Sequence, residues 1–283
     1  MTIKLIADSG STKAEWKLIS GESVVKTFQT RGMNPYFLGQ EAIVRELQEN
    51  VLPETGTDVA EIFLYGAGVT SQENSVREAL CQVFPCAHIE THSDVLGASR
   101  ALFGRSAGIA CTLGTGSNAC FYNGVQIAGR VPPLGFILGD ECSGSAFGKK
   151  LLGDYFKQVM PPSVRLLFHE TFSPELQDVL DRVYRTERPN FYLSAFAPFL
   201  SAHINEPYCR TMVEESFRDF FVRNVLSLGV DRSLPIGFTG SVAYYFSEVV
   251  TQMTEAFGFN RPIVLKNPIT GLVAYHQNKI NIP

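Results

Sequence analysis

Two short turns rich in glycine and hydroxyl side chains, Asp8-Ser9-Gly10-Ser11-Thr12 and Gly114-Thr115-Gly116-Ser117-Asn118, recur roughly a hundred residues apart. Between two strands, such a turn can aim several backbone N–H groups at one phosphate. Glycine lets the backbone approach closely, and serine or threonine adds a hydroxyl donor. Surface hairpins use the same residues, so one such turn says little; two in equivalent places say more. Asp8 at the head of the first turn suits a Mg²⁺ ion held through water, or simply a turn cap. Asp94, after His92-Ser93, heads a helical stretch. There a carboxylate could orient and deprotonate an attacking hydroxyl, or serve as an N-cap. Asp140-Glu141 follows Gly135-Phe136-Ile137-Leu138-Gly139. By itself this acidic pair reads as two solvated charges at a helix N-terminus. Asn34, before Pro35, reads by itself as a turn residue.

The elements that must carry these residues follow from periodicity. Residues 2–8 read as a strand, and Lys13, Glu15 and Lys17 alternate with Ala14, Trp16 and Leu18 in the period of a half-buried strand. A turn at Ser20–Ser23 leads into a third strand over 24–29. Ile43, Leu47 and Val51 predict a helix over 41–51. A strand at 61–65 precedes a helix that Ser71 could cap, running to about Phe84. A strand at 89–92 then precedes the helix that Asp94 begins. From residue 109 the pattern restarts: strand, Gly-Thr-Gly-Ser turn, strand, the Asn123-Gly124 hairpin signal, strand over 125–128. The repeated meander predicts an α/β chain of two like lobes, 1–105 completed by a C-terminal helix at 268–283, and 106–267 with a helical insert. Residues 151–230 read as mainly helical. A strand ending at Thr239 leads through Gly240-Ser241 into a helix over 244–257, and a short strand covers 263–265.

Composition narrows the partners. A chain of 283 residues with 45% hydrophobic and 18% charged residues is an ordinary globular protein. Its net charge of −4 argues against a nucleic-acid protein. No stretch approaches the length of a membrane span, and the N-terminus does not read as a signal peptide, so cytoplasm is the expected compartment. Six cysteines (81, 86, 111, 120, 142, 209) without a CxxC pair read as reduced thiols, mostly in the core. Tyr65-Gly66-Ala67-Gly68-Val69-Thr70-Ser71, with Glu90 further on, resembles a dinucleotide fingerprint. It carries serine for the third glycine and leaves both hydroxyl-rich turns unexplained.

Asp8-Ser9-Gly10-Ser11-Thr12-Lys13 resembles the first phosphate motif of the sugar-kinase, heat-shock-chaperone and actin superfamily. Leu113–Asn118 resembles its second, and Gly237-Phe238-Thr239-Gly240-Ser241-Val242 its adenosine motif. More narrowly, Gly-Thr-Gly-Ser-Asn with Leu138-Gly139-Asp140-Glu141 and Gly144-Ser145 resembles the N-acetylglucosamine kinases and the benzoyl-CoA reductase activator ATPases. The resemblance implies two ribonuclease H-like lobes of the actin-like ATPase/hexokinase type around a central cleft that closes to exclude water. It implies ATP with Mg²⁺ held by Asp8 through water, in the family's manner, and Asp94 as the base. Gly10, Ser11, Thr12, Gly114, Thr115, Gly116 and Ser117 would hold phosphates, and Gly240 and Ser241 adenosine. Asn34, Gly66, Asp94, Thr115, Asn118, Gly135, Asp140 and Glu141 would bind a sugar, most readily N-acetylglucosamine phosphorylated at its 6-hydroxyl. Leu134 stands roughly where the mammalian-type kinases carry tryptophan. The Cys/His zinc motif of the bacterial repressor–kinases is absent. A homodimer is compatible with this reading. Two other readings stay open: an ATPase activating a reductase through a bridging iron–sulfur cluster, for which only Cys86 and Cys142 read as loop thiols, and a sensor that binds sugar or nucleotide without turnover.

Overall fold

The structure is a computed structural model describing residues 2–70, 72 and 75–278. The chain divides into two compact units. The first comprises residues up to Ser106, Tyr122–Gln126 and the chain from Asn267 on; the second comprises Ala107–Phe121 and Ile127–Lys266.

In the first unit, strands β1 (Ile3–Ser9), β2 (Lys13–Ser20), β3 (Ser23–Arg31), β4 (Glu61–Gly66) and β5 (His88–Ser93) form one sheet in the order β3-β2-β1-β4-β5. The meander β1-β2-β3 is antiparallel, whereas β4 pairs parallel with both β1 and β5. The alternation in β2 buries Ala14, Trp16 and Leu18, and the Trp16 indole N–H donates to Thr30 Oγ1 at 2.9 Å. Strand β4, Glu-Ile-Phe-Leu-Tyr-Gly, is buried from Ile62 onward, as a parallel strand covered on both faces must be. Helices α1 (Gln40–Glu46), α2 (Leu52–Thr55) and α3 (Ser75–Val83) accompany this sheet, and Ile43, Leu47, Val76 and Leu80 join Leu5, Trp16 and Leu64 in its core. Helix α4 (Asp94–Phe103) and the last helix of the chain, Ile269–His276, cover the side of Phe63 and Tyr65. The His276 ring stacks on Phe63 at 3.9 Å, and Gly97 lies against Tyr65.

In the second unit, β6 (Ala107–Leu113), β7 (Ser117–Asn123), β8 (Ile127–Arg130), β9 (Ile236–Thr239) and β10 (Ile263–Leu265) are ordered β10-β9-β6-β7-β8. Strand β9 runs parallel to β6 and to β10. Read outward from the first strand, both sheets therefore have the same plan, a meander on one side and two later parallel strands on the other. Between β8 and β9 the chain forms α5 (Gly135–Leu138), α6 (Gly144–Phe156), α7 (Pro162–Phe172), α8 (Leu176–Tyr184), α9 (Pro189–Ser194), α10 (Pro198–Ala202) and α11 (Pro207–Phe220). After β9 come α12 (Ser241–Tyr245) and α13 (Ser247–Ala256), and Ile269–His276 is α14. Phe147, Phe168, Phe217, Phe220, Phe221 and Phe238 fill this unit's core.

The α/β architecture with two five-stranded sheets agrees with expectation; several details differ. The predicted helix over 41–51 passes into a π-helical turn at Leu47–Val51 before α2. The predicted helix over 244–257 is two helices, broken at Phe246. Strand β8 begins at Ile127, because Asn123 Oδ1 accepts the N–H groups of Val125 and Gln126 and lengthens the turn. Ser71, expected as a cap, lies outside the described residues, as do 279–283 of the expected C-terminal helix. Among the described residues no helix is long and apolar enough to cross a membrane.

Candidate functional site

The first unit gathers its functional residues at the carboxyl ends of its parallel strands, where open α/β sheets bind ligands. Register places Asp8 beside Tyr65 and Tyr65 beside His92. One step on, Ser9, Gly66 and Ser93 are aligned. The β1–β2 turn is closed by the Gly10 N–H donating to the Lys13 carbonyl at 3.0 Å, with Ser11 and Thr12 at its tip. Gly32 lies against this turn so closely that a Cβ there would meet the Gly10 carbonyl oxygen and the Thr12 nitrogen. Asn34, 6% exposed, donates from Nδ2 to Ser11 Oγ at 2.7 Å and accepts the Tyr36 N–H on Oδ1 at 3.0 Å. The residue expected to touch sugar thus also holds the phosphate-type turn, a link between positions 23 apart that no motif announces.

Asp94 is the first residue of α4, and it does not cap the helix. Ser93 does so, its Oγ accepting the Leu96 N–H at 3.3 Å, while Asp94 Oδ1 accepts the Val95 N–H at 2.9 Å. The negative charge therefore stands at the positive end of a helix, at the carboxyl edge of the sheet. Asp8 is half-buried at the same edge. Burial, then the charges of Asp94 and Glu15, against the partial relief of Lys13, push its carboxyl up to about 7. A buried carboxylate pushed up by a neighbouring negative charge fits a Mg²⁺ ion bound with a nucleotide, which takes one or two carboxylates and completes its shell with phosphates and water. Among the described residues no group of three or more His, Cys, Asp or Glu side chains is placed to hold a metal ion. Gly66 ends β4, and Gly68 of the dinucleotide-like stretch turns at φ 80° against Asn34. Glu90, the expected acidic partner of that stretch, accepts from His88 and His92 instead.

The second unit repeats the arrangement. Thr112 and Leu265 align with Thr239, so the Gly114–Ser117 turn and the Gly240-Ser241 turn leave neighbouring parallel strands at the same edge. Gly240 sits at φ 109° with its Cα against the Leu113 carbonyl, a place only glycine fits. The Gly114 and Thr115 carbonyls accept the N–H groups of Gly144 and Ser145, which packs α6 onto the turn. A cavity of about 310 Å³ opens where these turns meet α9, α10 and α12. Gly114, Thr115 and Ser241 form one end, and Ala197, Pro198 and Tyr245 wall the other.

A second cavity in this unit, of about 400 Å³, lies on the other side of the turn. Asp140, held at φ 56°, accepts the Ser117 N–H on Oδ1 at 3.0 Å. Burial pushes its carboxyl up, and the Glu141 charge adds to this against the Ser117 bond. Glu141 accepts from Asn224 Nδ2 at 3.0 Å and lies 3.9 Å from the Arg223 guanidinium. Leu134 and Leu138 supply apolar wall. Ser117 Oγ lines this cavity, buried and without a hydrogen-bond partner; the buried Asn118 Oδ1 is likewise unpaired. Unpaired buried polar atoms are costly, and beside a cavity they are what a hydroxylated ligand would satisfy. Ser117 thus faces the Asp140 cavity and not the one at Gly114, a division that sequence reading did not make. It also missed Ser194, Ala197, Pro198 and Ser201, whose helices carry no motif, and the hydrogen bond from Asn224 to Glu141.

One solved structure decides the relationship. The chain is 40% identical to a candidate N-acetylglucosamine kinase from Porphyromonas gingivalis, covering 98% of this chain and 99% of that one, with a TM-score of 0.93. The chain belongs to the family of N-acetylglucosamine kinases and reductase-activating ATPases of the actin-like superfamily. Structures further off in sequence share its fold: a candidate N-acetylglucosamine kinase from Chromobacterium violaceum at 16% identity, 97% and 99% coverage and TM-score 0.77. At 13% identity, 99% coverage of both chains and TM-score 0.50 stands component A of the (R)-2-hydroxyglutaryl-CoA dehydratase of Acidaminococcus fermentans. No protein-family model and no curated protein matches the chain. Family membership leaves two chemistries, and the cysteines bear on them. Cys142, expected in a loop, occupies a turn at φ 60° yet is wholly buried, and burial raises its thiol well above the usual range. It is a core residue.

Proposed function

We propose that this protein is an ATP-dependent sugar kinase that transfers the γ-phosphoryl group to the 6-hydroxyl of N-acetylglucosamine. The observation that carries the reading is the placement of Asp94. Its helix is capped by Ser93, and its carboxylate, which accepts the Val95 N–H, stands at the carboxyl edge of the sheet that also carries Asp8, close enough to act on the Asp8 charge. There it takes the role of general base, orienting the acceptor hydroxyl and accepting its proton as the phosphoryl group transfers. The amino-sugar assignment is supported by the Porphyromonas gingivalis relative and by the Asp140 cavity with its unpaired Ser117 hydroxyl.

In this proposal Gly10, Ser11 and Thr12 of the first unit and Gly114, Thr115 and Gly116 of the second hold phosphate oxygens through backbone N–H and hydroxyl groups. Gly240 and Ser241 hold the adenosine. Mg²⁺, when bound, neutralises charge on the β- and γ-phosphates, and Asp8 holds its water shell. Asp140 accepts from sugar hydroxyls while fixed by Ser117. Asn34, Gly66, Asn118, Gly135 and Glu141 complete the sugar contacts, and Leu134 and Leu138 offer apolar surface to the acetamido methyl. The test is the product's identity. After incubation with ATP, Mg²⁺ and N-acetylglucosamine, phosphorus–proton correlation spectroscopy should couple the new phosphate to the C6 protons. Phosphate on any other hydroxyl would refute the regiochemistry.

A further inference from the structure

The cavity at Gly114 has two chemically different ends, and the difference bears on which nucleotide it accepts. One end, with Gly114, Thr115 and Ser241, belongs to the turns assigned to phosphate and ribose. The other is walled by Ala197, Pro198, Val242, Tyr245 and Phe246. Among the described residues no amide, carboxylate, imidazole, ammonium or guanidinium side chain lines it.

The polar groups at the apolar end are already engaged within the protein. Ser194 Oγ donates to the Phe191 carbonyl at 2.9 Å, and Ser201 Oγ donates to the Pro198 carbonyl at 2.9 Å. The Tyr245 hydroxyl accepts from Lys266 Nζ at 3.0 Å, and that ammonium lies 5.0 Å from the Tyr245 ring centre, bracing the ring from outside. The backbone is committed as well. The Ser194 and Ala197 carbonyls accept the N–H groups of Ala197 and Leu200, and the Val242 carbonyl accepts that of Phe246.

Strong discrimination between related ligands comes from buried groups that hydrogen-bond one of them and are stranded by the other; apolar walls discriminate weakly. A hydroxyl whose proton is committed can still accept, but adenine and guanine both bring N–H donors. Stacking against Tyr245 is tolerant of base identity, since every base has a π face. We infer that this site recognises the triphosphate and ribose and reads the base by stacking alone, so that GTP and ITP serve as phosphoryl donors alongside ATP. The inference rests on the kinase reading for the meaning of the cavity, and it names the donor class of that same site.

Binding and turnover test it separately. By isothermal titration calorimetry with Mg²⁺, the dissociation constants of ADP, GDP and IDP should agree within about tenfold, and Tyr245→Ala should weaken all three by a common factor of about ten. With N-acetylglucosamine saturating, kcat/KM for GTP and ITP should lie within about tenfold of that for ATP. A preference for ADP over GDP above about 100-fold, or a Tyr245→Ala effect confined to adenine nucleotides, would overturn the inference while leaving a sugar kinase intact. Base-tolerant binding without phosphorylation of any sugar would uphold the readout of the base by stacking alone, but remove the kinase reading and the donor role with it. No binding of any nucleotide would remove both.

Discussion

Asp94 and Asp8 share one edge of one sheet yet are given different chemistry by their surroundings. Asp8 is pushed up to about 7 by burial and by the charge of Asp94, so it is the carboxylate that a cation most readily relieves. Asp94, at the N-terminus of α4, has the helix dipole in its favour, and in the proposed reaction it is the carboxylate that meets the acceptor hydroxyl. Replacing Asp94 by asparagine keeps the shape and a hydrogen bond to the hydroxyl but removes the base. The expected result is a fall in kcat of at least about 100-fold, or about 2.7 kcal/mol, with KM for the sugar within about threefold. Steady-state kinetics on the purified variant would show this, and near-normal turnover would reduce Asp94 to a charge at a helix end. Both aspartates, the two Gly/Ser/Thr turns and Asp140 were legible in the sequence because each belongs to a local motif. The Asn34–Ser11 bond was not, because nothing local links positions separated by two strands and the turn between them.

Helix α14 shows what braces the sheet that carries Asp8 and Asp94. Arg100 on α4 donates to the Tyr65 hydroxyl at 2.8 Å, and that hydroxyl lies in hydrogen-bond contact with His276 Nε2 at 2.9 Å. The surroundings bias the His276 imidazole toward its neutral form. Burial, and then the Arg100 charge, lower it to about 4, with Lys4 and His92 in the same direction and Glu90 opposing. In the unfolded chain this imidazole titrates near 6.5. The folded pKa is depressed, so the contribution to stability is fully present above about pH 6.5 and is lost as pH falls toward and through 4. Urea unfolding at pH 7.5 and at pH 4.5 should show the native chain losing about 2 kcal/mol more than a His276→Gln variant over that interval. Equal losses would mean that the α14 contact is not built on a neutral imidazole. At this scale the strands were the most legible elements, because β2 alternates and β4 is apolar throughout. The π-helical turn at Leu47–Val51 and the break at Phe246 were not legible, since helical spacing continues across both and tertiary packing sets the local backbone. The break matters: Tyr245 and Phe246, which sit at it, both line the cavity at Gly114.

Across the whole molecule, one strand plan occurs twice, with sheet orders β3-β2-β1-β4-β5 and β8-β7-β6-β9-β10. Each copy places a hydroxyl-rich turn at the carboxyl ends of its parallel strands. This plan is common to kinases and reductase activators alike, so the fold does not choose between them. The thiols bear on that choice. Cys111, Cys120, Cys142 and Cys209 are buried, leaving Cys86 exposed and Cys81 half-buried on α3. A cluster shared by two subunits needs accessible thiolates converging on their axis. Protein purified without oxygen should be colourless and free of iron by metal analysis; stoichiometric iron that disappears in a Cys86→Ser variant would favour the activator. The most direct measurement is ATP consumption over a panel of amino sugars and hexoses, followed by a coupled assay for ADP. N-acetylglucosamine should raise turnover at least about 100-fold above the background with water alone, and more than glucose does. If no sugar raises turnover above that background, the chain is not a sugar kinase.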